Sequence, residues 1–178
     1  YAAVCRDDVC VYAIEPEISN IFMLRENILA NNLQERVLPI CAAVNDHVAL
    51  TKLYLASEEL GSAVHSVSDR PLEVTDLGYK VVGTENVFSI TLDLLSASIG
   101  RVPDLIKIDT DGHETEILKG ATKLLRDDIL RAVIIEIPLD KRHASECREV
   151  LKRAGFVIET HPFPKTLNEI WVRQDAVP

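Results

Sequence analysis

An α/β fold built on a mostly parallel sheet follows from three observations in this 178-residue chain. Short apolar runs of strand length alternate with segments of helical periodicity, the order that produces parallel strands joined by helices. Turn-forming residues punctuate them, among them Asn31-Asn32, Pro138 and Gly155. Near the middle, a strand of Leu105, Ile106 and Ile108 runs straight into Asp109, Asp111, His113 and Glu114. That junction puts ionisable groups at the carboxyl edge of the sheet, where open α/β folds bind ligands.

Taken in order, residues 9–14 read as a strand ending at Glu15-Pro16. Ser19 is placed to cap a helix carrying Ile21, Leu24, Ile28 and Leu29, which stops at Asn31-Asn32. Residues 37–44 form the next strand, 50–55 a short one and 87–91 another β-rich run. Residues 56–85 mix Ser, Gly, Asp and Glu with few periodic apolar positions, so they read as a long excursion, either a lid or substrate loop or a passive surface loop. After the acidic junction, Ile117, Leu118, Ala121, Leu124 and Leu125 recur at helical spacing. Residues 132–137 form a buried strand stopped by Pro138, and residues 145–154 a helix with Gly155 at C′. Strands at 156–159 and 169–173 pair as an antiparallel hairpin across a turn containing Pro162 and Pro164. With no repeat, low-complexity tract or linker, the expectation is a single domain over residues 1–178.

A composition of 47% hydrophobic and 26% charged residues is that of an ordinary globular domain. The net charge of −9 argues against nucleic acid as a partner, because phosphate backbones select clustered Lys and Arg. No apolar run reaches the roughly 20 residues that span a bilayer, so no membrane partner is expected and a cytoplasmic location is. Cys5, Cys10, Cys41 and Cys147 lack CxxC spacing, which predicts free thiols in a reducing compartment. Cys10 and Cys41, lying in apolar strand-like runs, are expected to be buried.

The ionisable residues admit more than one reading. Glu15 leaves a carboxylate at the ligand edge, able to accept two ribose hydroxyls or to sit unliganded ahead of Pro16. Asp111 and Glu114 have the Asp-x-x-Glu spacing of a capping box, so capping alone could account for both. Asp109 has no helix amide obviously in reach, and a carboxylate there is exposed at the site edge or buried at considerable cost. His113 has the ordinary pKa of a general base near neutrality, or is a surface residue of a first helical turn. A calcium loop is excluded, because counting from Asp109 puts Gly112 at position four where position six is needed. A magnesium site on Asp109 and Glu136 has no support in the spacing, and no metal is expected.

Five motifs in register resemble the FkbM family of S-adenosylmethionine-dependent methyltransferases. They are Ala13-Ile14-Glu15-Pro16, Thr91-Leu92-Asp93, Lys107-Ile108-Asp109-Thr110-Asp111-Gly112-His113-Glu114, Leu118-Lys119-Gly120-Ala121 and Ile134-Ile135-Glu136. The resemblance implies a Rossmann-like class I methyltransferase fold with S-adenosylmethionine as donor. It implies that Glu15 holds the ribose, that Ala42 and Ala43 lie near adenine, and that Asp109 stands beside the methionine moiety and substrate. His113 and Glu114 become candidates for orienting or deprotonating an acceptor hydroxyl, on a sugar, glycan or secondary metabolite. The family opens with a first strand and a glycine-rich loop, whereas no glycine here precedes Gly61. The expectation is therefore a fragment lacking that central strand and loop, which by itself binds cofactor poorly or not at all. Two other readings are a nucleotide-dependent oxidoreductase of Rossmann type, since an acid after a strand also suits a dinucleotide ribose, and a truncated domain serving only as a binding module.

Overall fold

The computed structural model describes residues 2–57, 59, 61–137, 140–159 and 167–174. They fall into two compact units, Tyr1–Ala43 with Ala49–Ser89, and Val44–Val48 with Ile90–Pro178.

The first unit begins with a short helix α1 (Ala2–Cys5), strand β1 (Val11–Glu15), helix α2 (Ile18–Ala30) and strand β2 (Val37–Cys41). β1 and β2 pair in parallel from Val11 opposite Val37 to Glu15 opposite Cys41. α2 crosses between them, as a parallel connection requires. Ala3, Ile28, Leu33 and Val37 form its buried cluster, with Val11, Ala13 and Leu24 packed against it. Arg36 ties α1 down by donating to the carbonyls of Ala3 and Arg6, each at 2.7 Å. The cap of α2 is Glu17 rather than Ser19: its carboxylate accepts from the amides of Ser19 and Asn20, and from the Ser19 hydroxyl. A carboxylate one residue ahead of the helix satisfies two amides at once, which a serine hydroxyl inside the first turn cannot.

Residues 37–44 are two elements, because β2 ends at Cys41 and β3 (Ala43–Val44) joins a different sheet. That sheet is ordered β3, β6 (Gly83–Ile90), β4 (Ala49–Leu55) and β5 (Ser66–Ser68), with β4 antiparallel to both β6 and β5. Ala43, Leu53, Leu55 and Val87 form its buried cluster, and Val67 packs on it. The excursion expected at 56–85 thus contributes β5, the start of β6 and a bridge between Val74 and Lys80. Cys10 and Cys41 are exposed, contrary to the burial expected of them. β2 pairs only with β1 among the described strands.

The second unit holds helix α3 (Leu92–Ile99), strand β7 (Leu105–Ile108), helix α4 (Glu114–Lys119), a 3₁₀ turn at Leu124–Arg126, strand β8 (Ala132–Glu136), helix α5 (Lys141–Arg153), and strands β9 (Phe156–Ile158) and β10 (Asn168–Arg173). Its sheet runs β7, β8, β10, β9: β7 and β8 are parallel, and β10 is antiparallel to both its neighbours. The hairpin expected at the C-terminal end is present, while its Pro162 and Pro164, like Tyr1 and Pro138, lie outside the described residues. α3 was not expected. Thr91 caps it by accepting from the Leu94 amide, and Gly100 ends it with φ of 71°. Ala144, Cys147 and Leu151 form the buried stripe of α5, which starts at Lys141, capped by Asp140, ahead of the expected residue 145.

The helix expected to run through Leu125 stops at Lys119. A Cβ on Gly120 would stand 2.2 Å from the Asn45 carbonyl, so only glycine admits that approach. Asp93 then holds the following turn, accepting from the amides of Lys123 and Leu124 and the Thr122 hydroxyl. Arg173 is buried with its guanidinium donating to the carbonyls of Leu125, Asp127, Leu130 and Ala154 and lying over the Phe156 ring. That cation satisfies the carbonyl ends left open where helix gives way to irregular chain.

Candidate functional site

In the first unit, Glu15 closes β1 and Glu17 follows two residues later. The Glu17 amide donates to Glu15 Oε1 at 2.9 Å. Burial raises the Glu15 carboxyl above its usual range, opposed by that amide and by Asn20. Burial also works to raise Glu17, but the Ser19 hydroxyl and the Ser19 and Asn20 amides prevail and bring it below the usual range. Around the two acids lie residues that the sequence did not single out. Asn20 Nδ2 donates to the Ser62 carbonyl at 3.0 Å, and the Ser62 hydroxyl is 3.3 Å from His65 Nε2. The Ala56 amide donates to His65 Nδ1, so in the neutral ring the proton sits on Nε2, facing Ser62. Ala42 and Ala43 are both buried, and the Ala43 methyl belongs to the cluster of Leu53, Leu55 and Val87. What Ala43 can offer a ligand is therefore its backbone.

In the second unit, β7 delivers Asp109 and the chain then turns through Asp111 and Gly112, with φ of 55° and 120°. His113 is the N-cap of α4 and makes no side-chain cap hydrogen bond. Asp111 therefore lies outside the capping position expected for it, and Glu114 is the first helical residue rather than the third. Glu114 nevertheless reaches back. Its Oε1 accepts from the Thr110 amide (3.2 Å), the Thr110 hydroxyl (3.0 Å) and the Gly112 amide (3.1 Å). It is only 1% exposed, and Oε2 has no hydrogen-bond partner among the described residues. The Nε2 of His113 is likewise buried and unpartnered. Buried polar atoms are normally satisfied, so two orphans on consecutive residues mark this turn as incomplete by itself.

Asp109 pairs with Lys107 on its own strand. It also shares a hydrogen bond with Glu136, the last residue of β8. In the sequence Glu136 figures as the end of the Ile134-Ile135-Glu136 motif and as an unsupported metal ligand, not as a partner of Asp109. The signal that finds it is register: Ile108 stands opposite Ile135, so the next residue of each strand meets the other. The hydrogen bond with Asp109, then burial, then the negative charges of Asp109, Asp111 and Glu114 push the Glu136 carboxyl up to about 7. The Glu136 hydrogen bond and Lys107 hold Asp109 below the usual carboxylate range against its burial. Two adjacent carboxyls cannot both ionise cheaply, so one proton is held between them.

An α/β chain with acids at the carboxyl ends of parallel strands has the architecture of a Rossmann-like methyltransferase. The structure matches the crystal structure of methyltransferase FkbM from Methylobacillus flagellatus KT with a TM-score of 0.55 at 14% identity, over 92% of this chain and 36% of that one. The family model for the methyltransferase FkbM domain matches residues 2–158, and the chain belongs to that family. Hexuronic acid methyltransferase AglP of Haloferax volcanii is 26% identical over 141 residues, 77% of this chain. The chain spans about half the length of that relative, 51%.

Proposed function

We propose that the protein transfers a methyl group from S-adenosylmethionine to a hydroxyl of a sugar, with a sugar acid as the first acceptor class to examine. Family membership and the similarity to a hexuronic acid methyltransferase support this reading. The observation that carries it is Glu15: a partly desolvated carboxylate at a strand's carboxyl end, with one oxygen engaged by the Glu17 amide. A ribose diol suits such a group, because its two hydroxyls donate to one carboxylate.

In this reading Glu15 holds the ribose, the backbone of Ala42 and Ala43 borders the adenine, and Asp109 stands toward the methionine end. When bound, S-adenosylmethionine supplies an activated methyl on a sulfonium, so the protein's task is to position the acceptor and take its proton. Glu114 orients rather than reacts, since its Oε1 is committed to Thr110 and Gly112 and the side chain is sealed from solvent. The unpartnered Nε2 of His113 is offered to the acceptor, whose hydroxyl would satisfy it.

The test is calorimetry of the full-length protein with S-adenosylhomocysteine. Micromolar binding that weakens on Glu15→Gln is the expected result; no heat at high micromolar ligand would reject the cofactor assignment.

A further inference from the structure

We infer that the Asp109 and Glu136 pair accepts the acceptor's hydroxyl proton, with Glu136 as the catalytic residue and Asp109 as its positioning partner. This rests on the methyltransferase reading above.

The geometry begins with the sheet. β7 and β8 run in parallel with Ile108 opposite Ile135, so Asp109 and Glu136 leave the sheet on neighbouring strands, close enough that each is the first cause of the other's shift. β10 places Asn168 opposite Glu136, extending the polar row across a third strand, and Asn168 Oδ1 is buried without a partner among the described residues. Behind the pair is Glu114, almost wholly buried with Oε2 unpartnered, whose negative charge bears on Glu136. A buried carboxylate oxygen with no donor among the described residues is an independent sign that this corner is incomplete by itself.

Access and partners distinguish Glu136 from Asp109 and Glu114. Glu114 is sealed and committed, and Asp109 is held as an anion by Lys107. Glu136 is half-buried, reachable and poised. Its ionisation is set by Asp109 at the end of β7, then burial, then the charges of Asp109, Asp111 and Glu114; Lys107 of β7, paired with Asp109, and the uncharged Asn168 of β10, opposite Glu136, also face this edge. A base whose pKa lies near the working pH is both available and strong enough to be useful.

The step balances. As the acceptor oxygen bonds to the methyl carbon, its proton passes to a Glu136 Oε. The carbon–sulfur bond breaks with its electron pair left on sulfur, so sulfonium and carboxylate become thioether and carboxylic acid. Glu136 then returns the proton to water.

The experiment combines Glu136→Gln and Asp109→Asn with a hexuronate acceptor. Glu136→Gln is expected to lower kcat roughly a hundredfold or more, with KM and S-adenosylhomocysteine affinity within about threefold of wild type. Wild-type turnover is expected to rise with pH through about 7. Asp109→Asn should shift that rise to lower pH, because the shared proton and the like charge are gone. Infrared difference spectra at pH 6 should show a protonated carboxyl band that Glu136→Gln removes, a readout that needs neither acceptor nor donor. Wild-type turnover with an unimpaired Glu136→Gln variant, or a pH 6 spectrum lacking that band, overturns the assignment. Absence of wild-type turnover with the carboxyl band present instead overturns the methyltransferase reading on which it rests.

Discussion

Two strand ends in this molecule each carry a pair of acids with one member raised and one lowered, and the pairs differ in what holds them. At the end of β1, Glu15 and Glu17 have donors of their own: the Glu17 amide for one, the Ser19 and Asn20 amides for the other. At the ends of β7 and β8, Asp109 and Glu136 are bonded to one another, with a single cation, Lys107, on the Asp109 side. Separate backbone donors allow Glu17 to ionise despite burial, whereas a shared hydrogen bond holds a proton on Glu136 to about 7. Burial set against the donors that reach each carboxyl decides which member of a pair is raised: the Glu17 amide does not offset burial at Glu15, whereas the Ser19 hydroxyl and the Ser19 and Asn20 amides do at Glu17.

Removing a donor-satisfied acid should cost binding or stability, and the largest effect is expected at Glu15. Glu15→Gln loses a charge-assisted interaction of about 1.5–3 kcal/mol. S-adenosylhomocysteine affinity should fall by roughly tenfold to a hundredfold, read by calorimetry. An unchanged affinity would show that Glu15 serves only its own turn.

Glu114→Ala is the next largest. It strips the acceptor from two backbone amides and a hydroxyl in a buried setting, a loss of about 1–3 kcal/mol. Urea unfolding should show a lower midpoint with an unchanged slope. Glu17→Ala removes the cap of α2 and should cost about 1 kcal/mol by the same measurement. A variant as stable as wild type would mean that Ser19 can take over the cap.

The smallest effect has the most specific sign. Because the folded-state value of Glu136 is raised, the stability it contributes is fully present below the unfolded value near 4.5 and is lost as pH rises through about 7. Glu136→Gln escapes that loss, so its Tm should exceed wild type above pH 7 and the difference should shrink in acid. A residual repulsion of about 1 kcal/mol corresponds to roughly 2–4 °C in a chain of this size.

Much of this contrast was legible in the sequence only as far as single strands reach. Glu15 and Asp109 stand out because each follows an apolar run, and strand ends are local features. Glu136 ends an equally clear run, but its meaning depends on the register between β7 and β8, which are joined through 23 intervening residues, 109–131. The sheet over residues 43–90 was hidden for a similar reason. β5 has three residues, too few for alternation to show, and forms only by pairing with β4. α3 had legible signals, with Thr91 at its start and Gly100 at its end, masked by the β-rich run ahead of them. The capping-box spacing at Asp111 misled because the turn through Asp111 and Gly112 takes positive φ, which delays the helix to Glu114. The stop after Lys119 came from outside the helix, at the Asn45 carbonyl, and no local pattern carries that.

The most direct test of the central contrast is a carbon-detected NMR titration of the glutamate side-chain carboxyls, with Glu17 and Glu136 assigned by their Gln variants. Glu136 should titrate at about 7 and Glu17 below the usual glutamate value, in the same sample. Two midpoints together near 4.5 would contradict the shared proton, and with it the role given to Glu136.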